Sequence, residues 1–235
     1  MPRIRAVLFD LGGTLVDERD YAGWIDLARR CYLDVDADAL AHAFLEVERE
    51  YDATPPTRDP AELRVRFWRE TLTRATGQEV PGPTAARFLS AVQSSDDHLF
   101  PLYSDARRCL ERLADEHRKL GVVSNSTSEA RVRAILDRAG IVDFFARVVS
   151  SGTEGVAKPD PVIFRRAVER LEVRPEEALY VGNLANTDAR AARAAGLHSV
   201  WLNREGTGLG LDPPEITSLL EVPLCVHLLE SGAPL

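Results

Sequence analysis

Hydrophobic and polar positions follow two different patterns along this chain. Near the N-terminus, Ile4 to Phe9 is a short run rich in apolar, β-favouring residues, and a Gly-Gly pair follows it. This pattern is typical of a buried strand that ends in a turn. From about residue 18 to residue 97, apolar residues recur at helical spacing instead, which predicts a helical bundle inserted after the first strand. The predicted helices are Tyr21–Leu33, Ala37–Tyr51 and Leu63–Thr76, with a loop at Ala53–Pro60 and a break at Gly77–Pro83.

Downstream of Tyr103, short apolar runs alternate with amphipathic segments. Strands are predicted at Lys119–Val123, Ala146–Ser150, Ala178–Val181 and Ser199–Leu202, with a weaker edge element at Ile216–Val222. Helices are predicted at Ser104–His117, Ser128–Ala139, Asp160–Leu171 and Thr187–Ala195, two of which precede the C-cap glycines Gly140 and Gly196. Alternating strands and helices indicate βαβ units and a parallel sheet.

The predicted fold is therefore an α/β, doubly wound parallel sheet with an inserted α-helical domain. Right-handed crossovers cover both faces of such a sheet and leave a functional site at the carboxyl ends of its strands. We expect a core domain of residues 1–16 and 98–235 and a helical domain of residues 17–97.

Composition and charge restrict the class of partner. The chain has 235 residues, 45% hydrophobic and 28% charged, which is typical of a folded globular protein. Its formal net charge of -8 argues against a nucleic-acid partner, because phosphate backbones attract basic surfaces. A small anion can still bind in a local basic pocket.

Cysteine usage and hydropathy indicate a cytoplasmic protein. Cys31, Cys109 and Cys225 are odd in number and far apart, so they suggest neither a disulfide framework nor a zinc site. No apolar stretch is long enough to cross a bilayer, and the first residues lack the apolar region of a signal peptide. We expect no membrane partner.

Four polar features follow predicted strands, at the edge where the fold places a site. They are Asp10 in FDLGGTL, Ser124 in VVSNS, Lys158 in VAKPDP and Asp188 in YVGNLANTD. Taken singly, these residues have ordinary structural roles: a turn-forming aspartate, a helix N-cap, a loop lysine and an acidic residue in a first helical turn. A serine hydroxyl with backbone N–H groups entering a helix also suits an anion.

In this order and spacing, the four features resemble the four motifs of the haloacid dehalogenase superfamily of hydrolases, in the subfamily I form with a helical cap. KPDPVIF, PEEALYVG and AARAAG are similar to the family as well, and the resemblance covers Ile4–Leu15 and about Ser104–Val222. It implies that Asp10 is the nucleophile and that Lys158 screens charge between Asp10 and the acidic loop. It also implies that Ser124 and the N–H of Asn125 bind the transferring group.

The resemblance also implies a Mg²⁺-dependent phosphatase that acts on a small phosphorylated metabolite through an aspartyl-phosphate intermediate, as a monomer or homodimer. The implied metal ligands are Asp10, the Gly12 carbonyl, Asn183 and Asp188. A phosphoryl group and an aspartate repel each other, so a cation and a lysine must neutralise charge before attack.

Two positions depart from the family's phosphatase pattern. Phosphatases of the family usually carry a second aspartate two residues after the nucleophile, as general acid and base, where this chain has Gly12. Asn183 stands where an aspartate often ligates Mg²⁺, which weakens the predicted site by one charge. General acid–base catalysis contributes about 10²–10⁴-fold, so slow turnover is expected unless another group substitutes, and Asp17 and Glu18 are the nearest in sequence.

Two alternatives to a phosphatase stay open. The family's dehalogenase branch lacks the second aspartate and needs no metal, and Arg19, Arg29 and Arg30 are possible halide-binding arginines. Its usual aromatic residue at the position of Gly12 is absent here. The other alternative is a catalytically degenerate member that only binds a ligand or partner.

Overall fold

The computed structural model of the protein describes residues 3–53, 60–94, 100–206 and 212–235. The chain divides into two compact units, one of Met1–Glu18 with Phe100–Leu235 and one of Arg19–Leu99. Most of the predicted loop at Ala53–Pro60 and the predicted domain boundary after residue 97 lie outside the described residues.

The second unit contains four helices around an aromatic core. The helices are α1 (Tyr21–Arg30), α2 (Ala37–Ala53), α3 (Pro60–Thr76) and α4 (Gly82–Ser94). Trp24 of α1 and Phe88 of α4 both pack against Trp68 of α3, with ring centroids 4.8 and 4.9 Å apart. Together with buried aliphatic residues, these large rings give the unit a hydrophobic core of its own.

The first unit is built on a parallel sheet of six strands in the order β3-β2-β1-β4-β5-β6. The strands are β1 (Ala6–Phe9), β2 (Lys119–Ser124), β3 (Arg147–Ser150), β4 (Ala178–Gly182), β5 (His198–Leu202) and β6 (Glu215–Ile216). Phe9 of β1 lies opposite Val122 of β2 and Val181 of β4. The strand order reverses between β1 and β4, so the carboxyl ends of these strands border the crevice where open α/β sheets bind ligands.

Helices cover both faces of this sheet. They are α5 (Ala106–Asp115), α6 (Glu129–Arg138), α7 (Ser151–Glu154), α8 (Pro161–Arg170), α9 (Ala191–Ala194) and α10 (Val222–Ser231). Val7 and Phe9 of β1 belong to one core cluster with residues of α5, α6 and α10. Ala6 and Leu8 belong to the other cluster, with residues of α8 and α9. Because alternate residues of one strand enter opposite clusters, the prediction of a doubly wound parallel sheet is confirmed.

The predicted elements differ from the structure in two places near the C-terminus. The edge element predicted at Ile216–Val222 is a strand only at Glu215–Ile216, and Val222 begins α10. The helix predicted at Thr187–Ala195 begins earlier, as a π-helical segment at Ala185–Arg190 that leads into α9. π-helical segments are rare in proteins, and those that do occur are frequently found at functional sites.

Two further observations concern the cysteines and the helices. Cys31, Cys109 and Cys225 are all buried free thiols, and burial raises the pKa of Cys109 to about 12. Across the described ranges, no helix combines the length and the apolar composition that crossing a membrane requires.

Candidate active site

The site begins where β1 ends. The Asp10 N–H donates to the Val181 carbonyl at 2.9 Å, which continues the pairing of β1 with β4 by one residue. The chain then turns sharply: Leu15 and Val16 both donate to the Leu11 carbonyl, and Gly13 takes a φ of 70°. This left-handed conformation favours glycine because it lacks a Cβ. The turn leaves Asp10 at the carboxyl edge of the sheet, only 8% exposed.

Lys158 joins two carboxylates at this edge. Its Nζ lies 2.5 Å from Oδ1 of Asp10 and 2.6 Å from Oδ1 of Asp188. Nζ also donates to the Tyr180 hydroxyl at 3.1 Å. Three of the four predicted strand-end features therefore meet in one buried cluster with two negative charges and one positive charge.

Burial and charge perturb the titration of this cluster. Burial raises the pKa of Asp10 to about 6, because the opposing attraction of Lys158 only partly offsets desolvation and the Asp188 charge adds to it. Burial alone would lower the pKa of Lys158, but Asp10 and Asp188 outweigh burial and raise it. We infer that Lys158 stays protonated while Asp10 titrates near neutral pH.

Asp188 has protein hydrogen-bond partners on both of its carboxyl oxygens. Its Oδ1 accepts from Lys158 and, at 3.0 Å, from the Tyr180 hydroxyl, while its Oδ2 accepts from the Leu184 N–H at 3.0 Å. A Cβ at Gly182 would lie 2.4 Å from its carboxyl carbon, so only glycine fits there. Asp188 itself is 0% exposed. Its carboxyl group therefore helps to hold the ammonium group of Lys158 in place.

Asn125 fixes the loop that holds Lys158. Its side-chain nitrogen donates to the Lys158 carbonyl at 3.0 Å, and its side-chain oxygen accepts from the Lys158 N–H at 2.9 Å. Two reciprocal bonds to one residue hold the backbone of that residue in register. The preceding residue, Ser124, is buried at the end of β2, so the structure brings both predicted anion-binding residues to the same sheet edge as Asp10.

Glu18 occupies the space beside Gly12. A Cβ at Gly12 would lie 2.3 Å from the Glu18 carboxyl carbon and 2.3 and 2.5 Å from its two oxygens. Gly12 does not adopt a positive φ, so its backbone accommodates other residues and the obstacle to a side chain is the Glu18 carboxyl group. The turn accounts for this approach, because Gly12 and Val16 form a bridge that brings the following residues back beside Gly12.

Asn183 lies beside the same turn. The Thr14 hydroxyl is 3.5 Å from Oδ2 of Asp10 and 3.4 Å from Oδ1 of Asn183. A Cβ at Gly13 would meet the Asn183 side-chain nitrogen at 2.5 Å. Asp10 and Asn183 thus both contact Thr14, and both carry oxygens of the kind that Mg²⁺ binds. The described residues contain no cluster of three or more His, Cys, Asp or Glu suited to a metal.

Arg204, just after β5, is a structural residue of this site that sequence reasoning missed. Its guanidinium donates to the Thr14 carbonyl at 2.8 Å and forms two bonds, of 2.9 and 3.1 Å, with Asp105. It also stacks 3.8 Å from the Tyr103 ring centroid. The available signal was a basic residue directly past a predicted strand. Arg204 ties the turn that follows Asp10 to the start of α5.

Arg204→Met should lower the free energy of unfolding by about 2–3 kcal/mol, because it leaves the half-buried Asp105 without its cation. Arg204→Lys keeps the charge but not the planar pair of donors. Its free energy of unfolding should therefore lie between that of Arg204→Met and that of wild type. Urea unfolding followed by circular dichroism measures both. Equal stability of Arg204→Met and wild type would contradict this role.

Comparison with known proteins identifies the family. The sequence model of the haloacid dehalogenase-like hydrolases matches residues 4–196. A phosphoserine phosphatase of Thermus thermophilus is 33% identical over 230 residues, which cover 94% of this chain and 89% of the relative. A glyceraldehyde 3-phosphate phosphatase of Pyrococcus furiosus is 30% identical and covers 86% of this chain and 81% of its own length.

A solved structure agrees with these relatives. The HAD phosphatase from Thermococcus onnurineus is 25% identical and superposes with a TM-score of 0.61, covering 94% of this chain and 97% of that one. The residues matched by the family model, 4–196, include Asp10, Lys158 and Asp188. The chain belongs to the haloacid dehalogenase-like hydrolases and is a hydrolase of that family.

Proposed function

We propose that this chain is a phosphomonoester hydrolase that acts on a small phosphorylated metabolite through an aspartyl-phosphate at Asp10. The observation that carries this proposal is the position of Lys158 between Asp10 and Asp188, buried at the carboxyl edge of the sheet. The phosphatase names of the relatives support the choice of phosphate ester as the substrate class.

Lys158 allows an anionic nucleophile to meet an anionic substrate. Its ammonium group offsets part of the negative charge of Asp10 and of the incoming phosphoryl group. Asp188 and Tyr180 hold Nζ in place from the opposite side, so the ammonium group needs no reorganisation during the reaction. Asp10 keeps Oδ2 for attack, because Lys158 contacts Oδ1.

Ser124 and Asn125 supply the binding of the transferring group in this proposal. Ser124 lies at the end of β2, adjacent to β1 in the sheet. The Asn125 side chain is occupied by the backbone of Lys158, so its contribution to substrate is its N–H. A hydroxyl and a backbone N–H that follow a strand are suitable donors for phosphoryl oxygens.

The residues fit Mg²⁺ with one change from the expected ligand set. We propose Asp10, the Gly12 carbonyl and Asn183 as ligands, and we omit Asp188 because both of its oxygens accept protein hydrogen bonds. All three proposed donors are oxygens, as Mg²⁺ prefers. When bound, the cation supplies positive charge for the phosphoryl oxygens. With a single carboxylate among the ligands, affinity should be low.

Asn183→Asp should tighten Mg²⁺ binding by on the order of tenfold, because it adds a charged ligand beside Thr14. Isothermal titration calorimetry with MgCl₂ measures the effect without any substrate. Asn186→Asp is the matched control, since it adds the same charge to the same loop and should leave the affinity near wild type. Equal tightening in both variants would show a general charge effect and contradict ligation by residue 183.

A substrate panel tests the proposed function. Phosphate esters of small metabolites and 2-haloacids are incubated with the protein in Mg²⁺ and in EDTA, and phosphate or halide release is measured. We expect phosphate release from esters that depends on Mg²⁺, and no halide release. Halide release in EDTA would favour a dehalogenase, and silence on every compound would favour a protein that only binds a ligand.

A further inference from the structure

The carboxyl group of Glu18 lies where a side chain at position 12 would project. All three of the atoms nearest to a Cβ built on Gly12 belong to this one carboxyl group, at 2.3 to 2.5 Å. Gly12 is two residues beyond the nucleophile. The chain therefore lacks a carboxylate on residue 12 and yet has one in the volume that such a carboxylate would need.

We propose that Glu18 is the general acid and base of this enzyme, delivered from six residues further along the turn. This inference rests on the proposed phosphatase function. It is specific to Glu18 rather than to its neighbour Asp17, because only the Glu18 side chain provides the atoms nearest to position 12.

The hydrogen bonds of the turn bring Glu18 to this position. Gly13 donates to the Val16 carbonyl, Val16 donates to the Leu11 carbonyl, and the Asp17 N–H donates to the Pro101 carbonyl at 2.8 Å. These bonds fix the backbone on both sides of the bridge between Gly12 and Val16. Glu18 is an exposed residue, so it can exchange protons with solvent.

Asp188, the other carboxylate near Asp10, is excluded from this role by its surroundings. Asp188 is 0% exposed and accepts hydrogen bonds on both oxygens, so it has no contact with solvent through which to exchange a proton. Asp10 is consumed as the nucleophile.

The proposed proton transfers return Glu18 to its starting protonation state after one turnover. In the first step, an oxygen of Asp10 forms a bond to phosphorus and the bond from phosphorus to the ester oxygen breaks. The electron pair stays on that oxygen, which takes the proton of the Glu18 carboxylic acid and leaves as an alcohol. In the second step, the Glu18 carboxylate takes a proton from a water molecule while the oxygen of that water forms a bond to phosphorus. The bond to Asp10 breaks, inorganic phosphate leaves, and Glu18 is again protonated.

The two steps give Glu18→Gln a distinctive kinetic signature. An alkyl phosphate has a poor leaving group that needs a proton, so kcat/KM should fall by about 10²-fold or more. An aryl phosphate such as p-nitrophenyl phosphate leaves without a proton, so its kcat/KM should fall by less than about tenfold. Its second step still lacks a base, so the variant should show a burst of p-nitrophenol that wild type lacks.

Asp17→Asn is the matched control, because it removes the same charge from the neighbouring residue. It should keep the wild-type ratio of alkyl to aryl rates and show no burst. Titration of Glu18→Gln with Mg²⁺ measures whether the variant binds the metal as tightly as wild type does. Unchanged rates in Glu18→Gln would overturn the inference, and so would an equal fall on both esters together with weaker Mg²⁺ binding. Activity of the wild-type enzyme in the same assay would leave the phosphatase proposal standing.

A carboxylate swap provides the second test. Glu18→Ala should lose alkyl phosphate turnover, and Gly12→Asp combined with Glu18→Ala should restore part of it, because the removed side chain vacates the space that Asp needs. Thermal melts confirm that both variants fold. Failure of the double variant to exceed Glu18→Ala on alkyl phosphates would contradict the equivalence of the two positions.

Discussion

Asp10→Asn is expected to lower kcat by about 10⁴-fold or more on every substrate, because the amide cannot form the covalent intermediate. The fold should survive, since asparagine has nearly the same shape and can still accept a hydrogen bond from Lys158. Steady-state assays of the purified variant measure the first effect. Retention of most of the activity would rule out Asp10 as the nucleophile.

The same variant should be more stable than wild type near neutral pH when Mg²⁺ is removed. Burial raises the pKa of Asp10 from its ordinary value of 3.8 to about 6. The stability that this residue contributes is therefore fully present below pH 3.8 and is lost as pH rises through about 6. Asparagine does not ionise, so its advantage should grow across this window to as much as about 3 kcal/mol.

Thermal melts of both proteins in EDTA between pH 4 and about 7.5 measure this advantage. The difference in melting temperature between Asp10→Asn and wild type should be small at the acidic end and increase towards neutrality. A difference that stays constant across this range would contradict a buried, titrating Asp10.

Lys158→Met is expected to damage activity and stability together. It leaves Asp10 and Asp188 buried without the cation that both contact, and breaking a buried ion pair costs about 3–5 kcal/mol. In a chain of this length the melting temperature should fall by roughly 10 °C. The kcat should fall by about 10²–10³-fold, as for the loss of one electrostatic group at a reacting centre.

Lys119→Met is the natural control, because Lys119 is the only other lysine in the chain. Its side chain is 39% exposed and its ammonium group donates to the Leu171 carbonyl at 2.7 Å, so its loss should cost much less and leave kcat unchanged. Adding Asp188→Asn to Lys158→Met should recover part of the lost stability, because it removes one of the uncompensated charges. Equal melting temperatures for Lys158→Met and Lys119→Met would refute the buried-triad account.

The strand-end residues were predictable because each follows a short apolar run. Asp10 and Lys158 stand in segments that are recognisable in one dimension, and the parallel sheet brings such segments to one edge. The starts of two helices were also predictable: the predicted helices begin at Ser128 and Asp160, and these side chains accept hydrogen bonds from the first turns of α6 and α8.

Contacts between distant or folded-back segments were not predictable. Arg204 reaches Thr14 only because β5 and β1 end at the same edge of the sheet, and neither residue lies in a pattern that names the other. Glu18 was a candidate on proximity alone, and its approach to Gly12 depends on the hydrogen bonds of the turn. The first turn of α4 contains Pro83, which sequence reasoning took as a break although proline is compatible with a first helical turn.

The central position of β1 has a consequence for how the protein is made. Ala6 of β1 pairs with Lys119 and with Ala178, so β1 gains its first strand partner only after about half of these 235 residues have been translated. The apolar segment AVLF therefore stays unpaired while the entire helical unit is synthesised, and it is exposed to solvent or to chaperones during that time. The helical unit, whose contacts are local in sequence, can fold during that interval. Asp10 is thus translated before both neighbouring strands but positioned only after β4 has been synthesised.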